Sequence, residues 1–191
     1  MFKVLLFDDG SASAPLLREA ALAAGCVIVG EEHNAFRLPA AIEALEPDAV
    51  LMDVESPGRD VLEQVVISTR HEPRPIVMFT ADNSDSSIEA ALQAGVSAYV
   101  VDGVDATRLH SILQVAMARF RMDQQLREKL DAAETRLAER KLIDRAKGLL
   151  MQHHQLPEND AYAAMRRAAM QRNITLADVA TEIIRAANLP T

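Results

Sequence analysis

Val4-Leu5-Leu6-Phe7-Asp8-Asp9 is a short apolar run that stops on two carboxylates, and Ala49-Val50-Leu51-Met52-Asp53 repeats the pattern with one. Continuous apolar runs of this length suit strands buried on both faces of a parallel sheet. Three more follow the same rule: Val27-Ile28-Val29, Ile76-Val77-Met78-Phe79 and Ala98-Tyr99-Val100-Val101. Helical spacing fills the intervals, from Pro15 to Ala24 closed by Gly25, about Phe36 to Leu45, Asp60 to His71, and Ser86 to Ala94 ended by Gly95. The alternation predicts an α/β, doubly wound five-stranded parallel sheet with right-handed crossovers and helices on both faces.

In such sheets ligands collect beyond the carboxyl ends of the strands. Asp8, Asp9, Asp53 and Thr80 all fall there. Three converging carboxylates repel one another and favour a divalent cation, so Asp8, Asp9 and Asp53 are candidate Mg²⁺ ligands. Asp53 is also a candidate phosphoacceptor, with Thr80 offering its hydroxyl to the phosphoryl group. The acidic pair, Met52-Asp53, Pro57-Gly58 and Thr80-Ala81, in that order, resemble the receiver domain of two-component response regulators over about residues 1–118. That likeness implies a flavodoxin-like fold. Receivers carry a lysine at the end of the fifth strand; in this sequence Val101 is followed by Asp102. An anion in place of that cation, about 4 Å from another, is repelled by roughly 4 kcal/mol at a near-surface dielectric. Two readings follow for the Thr80/Asp102 switch positions: a phosphorylation switch at Asp53, or a receiver fold retained as a docking platform.

Beyond Ala106 the pattern changes. No proline occurs until Pro157, and Gly148 is the only glycine, which predicts one long helix or two nearly continuous ones to about His153. Leu109, Ile112, Ala116, Leu126, Leu130, Ala133 and Leu137 follow alternating steps of three and four, a coiled-coil seam interrupted at Arg119 and Asp123. Pro157 suits the first turn of a helix from about Glu158 to Arg172. Thr175, with Asp178 three residues on, opens a last helix to about Ala187. The expected organisation is therefore residues 1–118, a helical connector over 119–140, and an all-α three-helix bundle over 141–191. Its expected core is Leu149, Leu150, Tyr162, Met165, Val179, Ile183 and Ile184.

Charge divides along the same line. The chain carries −8 overall. From Glu134 onward nine Lys/Arg stand against seven Asp/Glu, a net of +2, while the preceding part carries −10. An acidic front and a basic tail fit a regulatory domain joined to a polyanion-binding one. Aromatic content of 4% with no Trp argues against an aromatic stacking sheet for RNA. Lone Cys26 excludes an internal disulfide framework, and no apolar run approaches a membrane span. Met1-Phe2-Lys3 leads into a strand rather than a signal peptide, and a cytoplasmic location is expected.

Lys141-Leu142-Ile143-Asp144-Arg145-Ala146-Lys147-Gly148-Leu149-Leu150-Met151, continued by Ala161, Met165 to Met170 and Val179-Ala180, resembles the ANTAR domain, the helical RNA-binding module of bacterial antiterminators. Gly95 to Gly103, with its aspartate at the lysine position, is similar to nitrate-assimilation antiterminators of the NasT type. The resemblance implies binding to leader RNA with paired hairpins, prevention of terminator formation, and control by a NasS-like nitrate sensor. It also implies a homodimer when active, and no catalytic activity. Arg140, Lys141, Arg145, Lys147, Arg166 and Arg167 are the candidate phosphate- or base-contacting cations. Ala146 and Gly148 are small enough for close approach by RNA, or for close helix packing. Arg172 and Arg185 read as solvated cations, and His153-His154 as a surface pair. The competing class is a DNA-binding response regulator. It shares the receiver and a helical tail, but its recognition helix should present the side chains that enter the major groove.

Overall fold

The computed structural model describes residues 1–10, 14–71, 73–101, 103 and 105–187, without the side chains of residues 14 and 71. The chain divides into two compact units, Met1–Gln124 and Gln125–Thr191.

In the first unit the strands are β1 (Lys3–Asp8), β2 (Val27–Glu32), β3 (Ala49–Asp53), β4 (Ile76–Thr80) and β5 (Ala98–Val101). All pair in parallel, in the order β2-β1-β3-β4-β5. Every residue of β3 and β4 is buried, the apolar runs and also the polar residues that end them, Asp53 and Thr80. Helices α1 (Ala14–Ala23), α2 (Leu38–Leu45), α3 (Arg59–His71), α4 (Asp85–Ala94) and the start of α5 (Ala106–His154) complete the unit.

Alternate side chains of the central strands feed two cores. Val4, Leu6, Leu51 and Phe79 pack in one with Leu17 and Leu113. Leu5, Phe7, Met52 and Met78 pack in the other with Leu38, Ile42 and Val65. Strand β2 runs past the expected Val29 through Gly30, where an added Cβ would lie 2.5 Å from Leu45 Cδ1, so a larger residue there would have to turn the Leu45 side chain aside. Gly95, at φ 103°, ends α4 in the left-handed region that glycine tolerates best.

Helix α5 is 49 residues long, and its apolar face changes partner along its length. Leu109, Leu113 and Ala116 are fully buried in the first core, with Ile112 against it. This corrects the expected seam: its first three positions pack on their own sheet, and only Leu126, Leu130, Ala133 and Leu137 remain exposed. From Gln125 to Leu142 every residue is exposed.

In the second unit, Ile143, Ala146, Leu149 and Leu150 of α5 join a core with α6 (Glu158–Arg172) and α7 (Leu176–Ala187). Met165, Ala169, Val179, Ala180 and Ile184 are its buried members. Tyr162, expected in this core, is instead 44% exposed. Asn173 at φ 53° ends α6. Thr175 and Asp178 cap α7 reciprocally: Asp178 N–H donates to Thr175 Oγ1 (3.1 Å), and Thr175 N–H and hydroxyl donate to Asp178 Oδ2 (3.0 and 2.7 Å). Those donors hold the Asp178 carboxyl below its ordinary range.

Candidate functional site

The sheet brings Asp8 and Asp53 side by side in the β1–β3 register, with Asp53 only 4% exposed. Asp9 N–H donates to the Asp53 carbonyl at 3.4 Å. The expected edge is thus assembled, and three of its carboxylate oxygens are bonded within the chain. Asp8 Oδ2 lies 2.8 Å from His33 Nδ1, and Asp8 Oδ1 accepts Gly10 N–H at 3.0 Å. Asp9 Oδ2 accepts Glu55 N–H at 3.2 Å. Among the described residues no three His, Cys, Asp or Glu side chains gather as a metal-holding group. Asp8, Asp9 and Asp53, the residues expected to hold Mg²⁺, meet at one strand edge, with Asp8 and Asp9 also bonded within the chain.

Thr80 is likewise committed. Its hydroxyl donates to the Glu55 carbonyl at 2.9 Å and accepts Asp82 N–H at 3.1 Å. Around it lies a network invisible to motif reading. The Asp82 carboxylate accepts the Ser56 hydroxyl (2.9 Å), the Ser87 hydroxyl (2.7 Å) and Ser84 N–H (2.9 Å). The Ser84 backbone bond, then the serine hydroxyls, hold Asp82 far below the usual carboxylate range. Tyr99 donates its hydroxyl to the Asp82 carbonyl at 2.8 Å. Burial pushes the Tyr99 hydroxyl pKa up, so the donor proton stays in place at neutral pH. One carboxylate thus ties the loop after β3 to the loop after β4, over the strand ends. Asp82→Ala should release both: amide exchange over residues 54–58 and 81–88 is expected to accelerate at least tenfold, with the sheet core unchanged. Equal protection in the variant would show that the loops are held by other means. Asp102, the other switch position, lies outside the described residues.

The bundle sorts the cations expected to meet RNA. Ala146 is fully buried in the core, so it serves helix packing and not RNA approach. Lys147 is 20% exposed at its side chain, and its Nζ bonds Glu158 Oε1 (2.7 Å) and Asp144 Oδ1 (3.1 Å). These bonds raise its pKa, Glu158 first, and make Lys147 a strut between α5 and the start of α6. Arg140 Nε sits 4.0 Å from Asp144 on the same side of α5. Arg172 forms a two-pronged pair with Glu182, its Nη2 2.8 Å from Oε1.

Of the six candidate RNA-contacting cations, Lys141, Arg145, Arg166 and Arg167 remain exposed without an ion-pair partner among the described residues. Lys141 and Arg145, four apart, share one side of α5, while Lys147 diverges from Arg145 by about 200°. The chain's geometry thus separates the two members of the Arg145/Lys147 pair into a free cation and a structural one. An added Cβ at Gly148 would meet nothing within 4 Å, so its surface is open.

Comparison with known proteins defines the class. The response regulator receiver domain profile matches residues 4–114, and the ANTAR domain profile matches residues 131–184. The chain belongs to the response regulators that join a receiver to an ANTAR domain, regulatory rather than catalytic proteins. It is 33% identical, over 98% of its own length and 92% of the relative's, to the transcriptional regulatory protein PdtaR of Mycobacterium tuberculosis. A second relative, the nitrate/nitrite response regulator NarL of Escherichia coli, is 28% identical over 60% of this chain and 54% of its own. The fold matches the signal receiver domain of a modulated diguanylate cyclase from Desulfovibrio desulfuricans, with TM-score 0.57 and 22% identity over 64% of this chain and 98% of that one. Among the described residues no helix is long and apolar enough to cross a membrane.

Proposed function

We propose that this chain is an RNA-binding antiterminator whose bundle engages leader-RNA hairpins and keeps a terminator from forming. The observation that carries the reading is the ANTAR match over residues 131–184, in which Lys141, Arg145, Arg166 and Arg167 are exposed without an ion-pair partner among the described residues. Unpaired guanidinium groups reach phosphates or exposed loop bases without breaking an existing ion pair. Selecting one RNA structure over its competitor requires only tighter binding to the first. A DNA-binding mode fits less well, because the free cations are divided between α5 and α6 and do not line one recognition helix.

In this proposal the receiver acts as a docking platform. Thr80 is bonded to Glu55, Asp8 and Asp9 are engaged within the chain, and Asp102 stands where receivers keep a lysine. The finer assignment is to nitrate and nitrite assimilation, with a NasS-like sensor sequestering the regulator until nitrate arrives. It is supported by the likeness of Gly95 to Gly103 to that group. Asp53→Asn is expected to leave inducer-dependent antitermination within about twofold of the parent. Complete loss of induction, with folding and sensor binding intact, would contradict the platform.

The test of the function is a comparison of RNA and duplex DNA at matched salt. Phosphate attraction alone makes both salt-sensitive, so the ratio at one ionic strength is the informative quantity. RNA recovered with the protein from nitrate-grown cells should bind at least tenfold more tightly than duplex DNA of the same sequence. Preference for the duplex would reassign the chain to DNA binding.

A further inference from the structure

The second unit contains one aromatic residue, Tyr162 (His aside), and the fold leaves it 44% exposed while Ala161 and Met165 on either side are buried. Arg166 follows four residues later on α6, exposed and unpaired among the described residues, and Met170 four later again, 73% exposed. Residues at i, i+4 and i+8 form one ridge along a helix, so ring, guanidinium and thioether stand in a row. The buried side of α6 is filled by Ala161, Met165 and Ala169. The ridge runs beside that buried side, with Tyr162 partly and Met170 largely open to solvent. Arg167 adds a second free cation on the same helix.

A row of aromatic, cationic and soft apolar groups is the chemistry that holds an unstacked nucleobase. Every base has a π-face for tyrosine, Arg can stack or pair with the adjoining phosphate, and Met conforms to an irregular edge. Paired RNA offers none of this, because its deep, narrow major groove closes the base edges to side chains. From this juxtaposition we infer that the Tyr162–Arg166–Met170 ridge binds an unpaired base of the RNA loop, with the Tyr162 ring as its stacking platform. The inference rests on the RNA-binding reading above and adds which residues take the loop base. Composition pointed the other way. Few aromatics argue against an aromatic sheet, but they do not prevent one exposed ring from taking one base.

The probe is a pool of RNA hairpins with a constant stem and a randomised loop, enriched once on the full-length protein. The same stem as an uninterrupted RNA duplex is the control. Tyr162→Phe should bind the enriched hairpins as the parent does. Tyr162→Leu, which keeps the apolar bulk and removes the π-face, should lose about ten- to hundredfold, with thermal melting and the weak duplex binding unchanged. Tyr162→Ala should match the Leu variant; if its melting temperature falls, the Leu and Phe variants decide. Parent-like hairpin binding by Tyr162→Leu overturns the inference while leaving the RNA reading intact. A duplex DNA of the same stem sequence is the second control, and a parent protein that fails to prefer hairpins over it overturns the RNA reading, and the inference with it. Parent-like hairpin binding by Tyr162→Leu together with loss of a protein partner would reassign the ridge to protein contact.

Discussion

Ala146→Glu is expected to unfold the helical bundle and abolish RNA binding while the receiver stays folded. Ala146 is fully buried among Met165, Ala169, Val179, Ala180 and Ile184, and no basic residue belongs to that core. A carboxylate placed there meets no cation and no space, and an uncompensated buried charge costs on the order of several kcal/mol. Against the roughly 5–15 kcal/mol that holds an ordinary domain together, that is most of the margin. Amide exchange should lose protection throughout α6 and α7 and keep it in β1, β3 and β4. If Ala146 instead lined the RNA surface, the variant would melt as the parent does and lose affinity alone.

The second large effect concerns the exposed stretch of α5. Leu126, Leu130 and Leu137 are each more than half exposed, and with Ala133 they follow steps of four, three and four. This is the spacing by which two helices bury a shared seam. We propose that this seam joins two copies of the chain, so replacing all three leucines by Ser is expected to convert a dimer to a monomer in sedimentation. Binding to a two-hairpin RNA should weaken by about a hundredfold or more, and binding to a single hairpin should not change. Linked sites gain this factor from effective concentration rather than from new contacts. Equal affinity of the triple variant for the two-hairpin RNA would mean that each bundle acts alone.

The fold was legible because parallel strands buried on both faces must be continuously apolar. Val4 to Phe7, Ala49 to Met52 and Ile76 to Phe79 satisfy this and leave no second reading. The strand-end carboxylates were legible for the same reason, since the strands place them. The clamp was not: Asp82, Ser56, Ser87 and Tyr99 are separated in sequence, and their bonds depend on loop geometry that no periodicity encodes. The α5 seam was half misread because a heptad pattern reports an apolar face without saying what covers it. Leu109 and Ala116 face a sheet, and Leu126 to Leu137 do not.

The RNA face shows the same ambiguity on a smaller scale. Small residues permit close approach by a helix or by a ligand, and only burial distinguishes them. Ala146 falls to the helix, and Gly148 stays open. Lysine can be a ligand for phosphate or a strut. Glu158, distant in sequence and adjacent in space, decides for Lys147. Tyr162 has the apolar body of a core residue, yet it stays 44% exposed beside buried Ala161 and Met165.

The most direct test of antitermination is single-round transcription on a template carrying the leader recovered with the protein. Read-through should rise in proportion to wild-type protein and remain at its basal level with a folded Arg145→Ala/Arg166→Ala variant. Unchanged read-through at concentrations where the wild-type protein saturates that RNA would contradict the account.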